Sequence, residues 1–302
     1  MLEQSSRPVA EEVQANGQAL TANPTEAETT FHGKTLGVSF WLAAAWLIVL
    51  LLAAILANVL PLKNPNSTFP GTSRHGPTAA HWFGSDNIGK DIFSRCIFGA
   101  RKSLTVGFVS YIFAFLFGTS LGLIAGFYRG RIEGVIIGAL DVLLAFPPLV
   151  LLIAIVSFLG PDTKNLVISL VILATPNVAR IIRAQVLQYR EREFVLAART
   201  IGASNMRIMV REILPNAAAT AGGFVLVGIA NLIVAEGALA FVGASNPNKP
   251  SWGVMINQGR SVLDTAPHIV IFPALMIVFT VFSMNFMGDR LRERLEVKES
   301  NA

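Results

Sequence analysis

Long apolar runs alternate with polar segments along most of this chain, and several runs have the length of a membrane-crossing helix. A bilayer core about 30 Å thick requires roughly 20 consecutive apolar residues in helical form. Five runs are predicted to be transmembrane helices: 38–60, 104–128, 134–159, 217–242 and 269–287. A sixth run, 166–179, is shorter, but helix-forming residues continue it to Leu187. We therefore expect six transmembrane helices, with an interfacial helix as the alternative for the sixth run.

The composition supports an all-α polytopic membrane protein. Of the 302 residues 53% are hydrophobic and 14% are charged, whereas soluble domains carry roughly 25% charged residues. The mean hydropathy is +0.56, so the lipid bilayer is the expected surrounding. The net charge of +5 does not indicate nucleic-acid binding, because the basic residues lie in the loops between apolar runs.

The positions of Lys and Arg predict the orientation. With the N-terminus inside, the inner regions hold about fifteen basic residues and the outer regions about nine, and cytoplasmic loops normally carry the excess. Both termini are then cytoplasmic. We divide the chain into a disordered cytoplasmic tail (1–35), a first span with a long extracytoplasmic loop (36–99), a transmembrane core (100–290) and a cytoplasmic C-terminal tail (291–302).

Small residues and prolines predict how the spans pack and bend. Gly118, Gly122 and Gly126 recur at four-residue spacing, which allows helices to approach closely in lipid, and Gly107 lies on the same span. The consecutive Pro147 and Pro148 predict a kink or break in the third span. An amphipathic interfacial helix, with Ile92 and Cys96 on its apolar stripe, is expected before the second span.

The polar segment 191–216 is predicted to form a helix–turn–helix between two spans. Val195, Ala198 and Ile201 form an apolar stripe on the first helix, and Gly202 permits the left-handed conformation of a turn. Pro215 is expected to end the second helix, whose apolar stripe comprises Met206, Met209, Val210 and Ile213. An amphipathic linker would have the same pattern, so the pattern alone leaves both interpretations open.

Three polar residues fall within the apolar runs and are candidates for a translocation pathway. They are Asn231, Glu236 and Asp141, and polar groups in the membrane normally face protein or water. For Asp141 the alternative is an ion pair with a neighbouring Arg or a capped helix end. For Glu236 it is an interhelical hydrogen bond.

No residue set in the sequence predicts catalysis or a metal site. Cys96 has no evident His partner, and the four histidines are scattered without metal-ligand spacing. Residues 84–90 match the phosphate-loop pattern G-x-x-x-x-G-K, but Asp91 stands where that motif needs Ser or Thr. We interpret this segment as a turn that caps a helix.

Several motifs resemble those of one transporter family. The segment 191–216 contains Ala-Ala, three residues, Gly and then Ile-Leu-Pro. Residues 83–91 (FGSDNIGKD), 235–243 (AEGALAFVG), 250–253 (PSWG) and 285–295 (NFMGDRLRERL) match further family patterns in the same order. From 81 to 296 the chain resembles the C-type permease subunit of dipeptide, oligopeptide and nickel ABC importers. It departs from the family at Leu196, where Glu is usual, and Glu193 is a substitute candidate.

That resemblance implies a type I importer transmembrane domain in the cytoplasmic membrane. Its partners would be a homologous B-type permease, two ATPase subunits or one fused ATPase, and an extracytoplasmic solute-binding protein. ATP and Mg would be used by the ATPases, with no cofactor on this chain. Trp252 and Gly253 would contact the binding protein. The ATPase-coupling residues would be Glu193, Ala197, Ala198, Gly202, Ile213, Leu214 and Pro215.

Other functions remain open at this point. A nickel or other small-solute importer of the same family is one alternative, although no His/Cys/Met cluster lines any predicted span. An ATPase-independent secondary transporter is another, but such proteins usually carry charged or broken helices at mid-membrane. A non-transporting scaffold would need neither the segment 191–216 nor a buried Glu236.

Overall fold

The computed structural model describes residues 37–300, with side chains described for residues 37–294. The tail predicted at 1–35 lies outside this part of the chain. Within it the fold is helical, and one isolated bridge between Ser85 and Asp91 is the only extended pairing described. The prediction of an all-α fold is therefore confirmed.

Eleven α-helices, numbered here in chain order, make up the described part. They are α1 Val38–Ile55, α2 Ile92–Tyr128, α3 Gly130–Leu144, α4 Pro148–Leu159, α5 Thr163–Tyr189, α6 Glu193–Thr200, α7 Asn205–Arg207, α8 Leu214–Gly222, α9 Val225–Phe241, α10 Trp252–Gly259 and α11 His268–Ser300. A π-helical stretch, Ile208–Ile213, joins α7 to α8, and a 3₁₀ turn, Arg260–Val262, follows α10.

Four of these helices are long and apolar enough to cross a membrane singly: α1, α2, α5 and α11. Two bent pairs bring the number to six if each pair is one span. Helices α3 and α4 meet at 90° across the break at Pro147, and the helical stretch Asn205–Gly222 meets α9 at 58°. The break predicted at the double proline is confirmed.

The structure also changes several predicted boundaries. The fifth span is not continuous over 217–242, because the chain bends at Gly222–Gly223. The amphipathic stretch at 92–100 is the first part of α2 rather than a separate interfacial helix. The run at 166–179 belongs to one long helix, α5, as expected. At the C-terminus, α11 continues to Ser300, so most of the segment predicted as a tail is helical.

Helices α2 and α5 pack through the glycine series of α2. A Cβ added at Gly118 would lie 2.6 Å from Val178 Cβ, and one added at Gly126 would lie 2.8 Å from Val186 Cβ. At Gly122 the nearest atom is the Ala179 carbonyl oxygen, at 2.5 Å. Because lipid provides no hydrophobic driving force between helices, such close backbone approach is a main source of stability. The predicted role of these glycines is confirmed.

We expect Gly122→Ala to lower the melting temperature of the full-length chain in detergent. The new methyl group would overlap a backbone carbonyl that cannot turn aside, and overpacking typically costs about 1–3 kcal/mol. Gly138→Ala on α3 is the matched control, because no atom lies within 4 Å of its added Cβ. The control should be neutral or stabilising, since Ala is favoured over Gly in helices by about 1 kcal/mol. Equal melting temperatures for the two variants would contradict the packing interpretation.

Candidate functional site

The segment 191–216 forms the predicted helix–turn–helix, which we call the elbow. Helix α6 ends in a Schellman motif: Ala203 N–H donates to Ala198 O and Gly202 N–H to Arg199 O, both at 3.0 Å. Gly202 has φ +80°, a conformation that favours glycine. The Ser204 side chain then caps α7 by accepting from Arg207 N.

One face of the elbow is buried and the other presents apolar side chains at the surface. Val195 and Ala198 pack into the same buried core as Met209 and Ile213. Ile201 was predicted on this stripe, but it follows the last residue of α6 and is 79% exposed. Met206 and Val210 were predicted on the apolar stripe of the second helix and are also exposed. We call the exposed set the elbow patch: Phe194, Leu196, Ile201, Met206 and Val210.

Pro215 does not end the second helix, contrary to the sequence prediction. It is the second residue of α8, and the backbone continues as helix to Gly222. The reason is the π-helical stretch before it, in which Leu214 N–H donates to Met209 O five residues back. The wider turn accommodates a residue that has no N–H to donate.

The seven residues predicted to couple to an ATPase divide between the surface and the core. Ala198 and Ile213 are buried and Leu214 is half-buried, so these three position the elbow from inside. The four exposed members are Glu193, Ala197, Gly202 and Pro215.

Several arginine side chains lie close together where the elbow joins the ends of α2 and α5. Arg129 pairs with Glu191 at 3.0 Å, and Arg190 Nη1 donates to Phe127 O at 2.7 Å. Partial desolvation, followed by the charges of Arg129 and Arg199, lowers the pKa of Arg190 below its ordinary value. We call this cluster of Arg129, Arg190 and Arg199, from which the elbow starts, the basic junction.

A groove of about 390 Å³ lies between α2, α5 and α9. Its polar side chains are Tyr111, Asn177 and Asn231, and the remaining lining is apolar, with Pro148 of α4 at one side. Asn231 was predicted as a pathway residue and is exposed in this groove. Sequence reasoning missed Asn177 and Tyr111. For Asn177 the sequence did offer a signal, because it is an amide residue directly after Pro176 within an apolar helix.

The two acidic pathway candidates do not line this groove. Asp141 pairs with Arg180 at 2.6 Å, and both side chains are half exposed. Glu236 is 1% exposed and accepts a hydrogen bond from Ser103 Oγ of α2 at 2.9 Å. Both placements match the structural alternatives: an ion pair for Asp141 and an interhelical hydrogen bond for Glu236.

Trp252 and Gly253 are not available to a docking protein, which corrects their predicted role. Trp252 is fully buried and donates through Nε1 to Cys96 O at 3.0 Å. A Cβ at Gly253 would lie 2.8 Å from Ala240 Cβ, so α10 packs directly on α9. The PSWG segment is hence part of the core. Cys96 is buried as expected for a packing residue.

The first loop is held against α2 and α10 by a buried ion pair. Asp86 pairs with Arg95, whose Nη2 donates to Gln258 Oε1 at 2.8 Å. Asp86 Oδ1 also accepts from the backbone N–H groups of Ile88 and Lys90, so a carboxylate already occupies the donors that a phosphate would need. Asp91 caps α2 by accepting from Ser94 N. The segment 84–90 is the predicted helix-capping turn.

The described residues contain no group of three or more His, Cys, Asp or Glu that could hold a metal ion. His81, the buried histidine among them, pairs with Asp91 at 2.8 Å. Its role is to join the loop to the start of α2.

Comparison with solved structures identifies the fold. The chain superposes on the MetNI methionine ABC transporter in an inward-facing conformation with a TM-score of 0.59 at 19% identity, covering 68% of this chain and 97% of that one. It also matches an amino acid ABC transporter with a TM-score of 0.53 at 19% identity, over 67% and 94% of the two chains. The fold is that of type I ABC importer transmembrane domains, as expected.

Sequence comparison gives nearer relatives. The chain is 40% identical to the dipeptide transport system permease protein DppC of Alkalihalophilus pseudofirmus over 85% of this chain and 86% of the relative. It is 38% identical to the glutathione transport system permease protein GsiD of Pectobacterium atrosepticum, over 84% and 86%. The GsiD of an Escherichia coli strain is 39% identical over 85% of each chain.

Residues 118–299 match the model of one transporter family, and this range includes the elbow, the groove residues of α5 and α9, and α10. The match agrees with the motifs at 235–243, 250–253 and 285–295. The chain belongs to the family of binding-protein-dependent transport system inner membrane components.

Proposed function

We propose that this permease carries peptides across the cytoplasmic membrane in an importer driven by separate ATPase subunits. The elbow is the observation that carries the proposal, because it presents an apolar surface that the described residues of this chain leave exposed. Exposed apolar patches rimmed by polar residues normally mark contact sites for other proteins. In this proposal the chain hydrolyses no ATP, and both ATP and Mg are used by the ATPases.

The elbow patch would insert into a groove of one ATPase. Leu196 occupies the position where Glu is usual in the family, and its side chain lies in the elbow patch. Leu196 therefore has an apolar side chain where the family usually has a charged one. Binding of the elbow to the ATPase would depend more on buried apolar area than in relatives that carry Glu. Glu193 and Ala197 lie exposed on the same short helix and would form the edge of the contact.

The orientation follows from that contact. An ATPase is cytoplasmic, so the elbow, both termini and the basic junction would be on the inner side, as the excess of Lys and Arg there predicts. The first loop and the connection before α10 would be outside. With Trp252 and Gly253 buried, the exposed first loop, including Ile88 and Trp82, is the better candidate for contact with a solute-binding protein.

The groove supports a peptide as the solute. Among the described residues that line it, none carries a charge at neutral pH, while Asn177 and Asn231 supply amide donors and acceptors. A peptide backbone has the same donors and acceptors. A nickel ion would need imidazole, thiolate or carboxylate ligands, which this lining lacks. The relatives named for dipeptide and glutathione transport agree with a peptide-like substrate.

Transport would follow from movement of the bundle against a homologous B-type permease. Closure of the ATPases would displace the elbow, and the tightly packed α2 and α5 would move with it as one body. Such rocking about a subunit interface converts inward- to outward-facing states. A secondary transporter would instead work without ATPases, and transport in vesicles that lack ATP would identify it.

We expect Ile201→Asp to remove the ATPase from the complex while this chain remains in the membrane. Isoleucine burial contributes about 1.5–3 kcal/mol, and a buried aspartate adds a desolvation cost, so affinity should fall at least tenfold. The measurement is co-purification of the ATPase with the tagged permease. Ile88→Asp is the control: Ile88 is also an exposed isoleucine, 58% exposed against 79% for Ile201, but it lies in the first loop. Loss of ATPase in the control, or retention in Ile201→Asp, would contradict the proposal.

We expect Asn231→Leu to raise the KM for dipeptide uptake into proteoliposomes by about two- to tenfold, the range for losing one hydrogen bond worth about 0.5–1.5 kcal/mol. ATP hydrolysis stimulated by the loaded binding protein should persist, because the elbow is unchanged. Asn58→Leu, at an exposed position after α1, is the control. Unchanged uptake in Asn231→Leu would exclude the groove as the peptide path, and nickel uptake by the wild type without peptide uptake would favour the metal alternative.

A further inference from the structure

Phe127 lies where the transmembrane bundle joins the elbow. It is the penultimate residue of α2, is 5% exposed, and belongs to the same buried core as Val186 of α5 and Val195 of α6. The neighbouring Gly126 lies against Val186, where an added Cβ would be 2.8 Å from Val186 Cβ. The ring is therefore fixed with respect to α2 and α5.

Two guanidinium groups from different elements lie over this ring. The Arg199 guanidinium carbon, from the last turn of α6, is 5.8 Å from the ring centroid, and that of Arg190, just after α5, is 6.0 Å away. Both are within the distance at which a cation is attracted to an aromatic face, about 6 Å. Arg190 is held a second time, through its hydrogen bond to Phe127 O.

The arrangement brings like charges together. Arg190 and Arg199 repel each other, and Arg129 adds a third positive charge that is paired with Glu191. The helix dipole by itself favours an arginine at a helix C-terminus. It does not explain why both guanidinium groups lie over one aromatic ring. The ring supplies an attraction that Arg190 and Arg199 share, and it joins the elbow helix to the bundle in addition to the apolar packing of Val195 and Ala198.

We infer that Phe127 is a positioning residue that transmits elbow movement to α2 and α5 through Arg199 and Arg190. This inference rests on the proposed contact between the elbow and an ATPase. When the ATPase displaces α6, Arg199 moves and carries the ring and the ends of α2 and α5 with it. Without the ring, α6 is joined to the bundle by the packing of Val195 and Ala198 alone, so its movement is transmitted less completely and less solute is imported per ATP hydrolysed.

The test uses the complete complex in proteoliposomes and measures solute imported per ATP hydrolysed. Phe127→Leu keeps an apolar side chain but removes the π face, and we expect this ratio to fall about threefold or more. Phe127→Tyr keeps the ring and should retain the ratio. Arg199→Gln should also lower the ratio. The double variant should be no worse than the more severe single variant, because the contact that Arg199→Gln removes is already absent in Phe127→Leu.

Arg211→Gln is the control, since Arg211 is an exposed elbow arginine and should leave the ratio unchanged. A normal ratio in Phe127→Leu, or effects of the two single variants that add in the double, would overturn the inference. If Phe127→Leu does not accumulate in the membrane, equal ratios for Arg199→Gln and Arg211→Gln would overturn it. ATPase should co-purify with every one of these variants. If it also co-purifies with Ile201→Asp, the elbow contact itself is wrong, which is a separate failure.

Discussion

The close approach of α2 and α5 is the constraint on which the rest of the structure depends. Gly118, Gly122 and Gly126 leave no room for a side chain between the two helices, so the pair has one register. That register brings Tyr128 and Tyr189, the last residues of α2 and α5, to the same end of the bundle. The elbow begins at this end, and its position is therefore set by helix packing rather than by its own short helices.

The periodicity of the sequence was sufficient for the long elements and for the elbow. Runs of apolar residues located α1, α2, α5 and α11, and Gly202 located the turn, because each of these features depends on local chemistry. Pro215 was misinterpreted, since a π-helical stretch removes the need for its N–H, and no local pattern indicates such a stretch. Trp252 was placed on a surface for a similar reason: its burial depends on the packing of α10 against α9 and against the distant α2, and no local pattern indicates that packing.

The distribution of polar groups differs between the buried contacts and the groove. The buried charged and carboxyl groups make polar contacts within the chain, as in Asp86 with Arg95 and Glu236 with Ser103, and these contacts join helices or loops. The groove instead presents neutral amides on an apolar lining. Such a lining suits the proposed solute path, because a site without fixed charge would hold its solute weakly and let it leave as readily as it enters. The sequence predicted Asn231, Asp141 and Glu236 alike as pathway residues, since an intramembrane polar residue has the same signature in a structural or a functional role.

The most direct test of the account is the location of the elbow patch in the assembled transporter. Ile201→Cys provides a single accessible thiol, because the native Cys96 is buried. The account predicts that a membrane-impermeant thiol reagent labels this position only from the cytoplasmic side, and that a short bifunctional reagent cross-links it to the ATPase. Labelling from outside intact cells, or an accessible thiol that never cross-links to an ATPase, would contradict it.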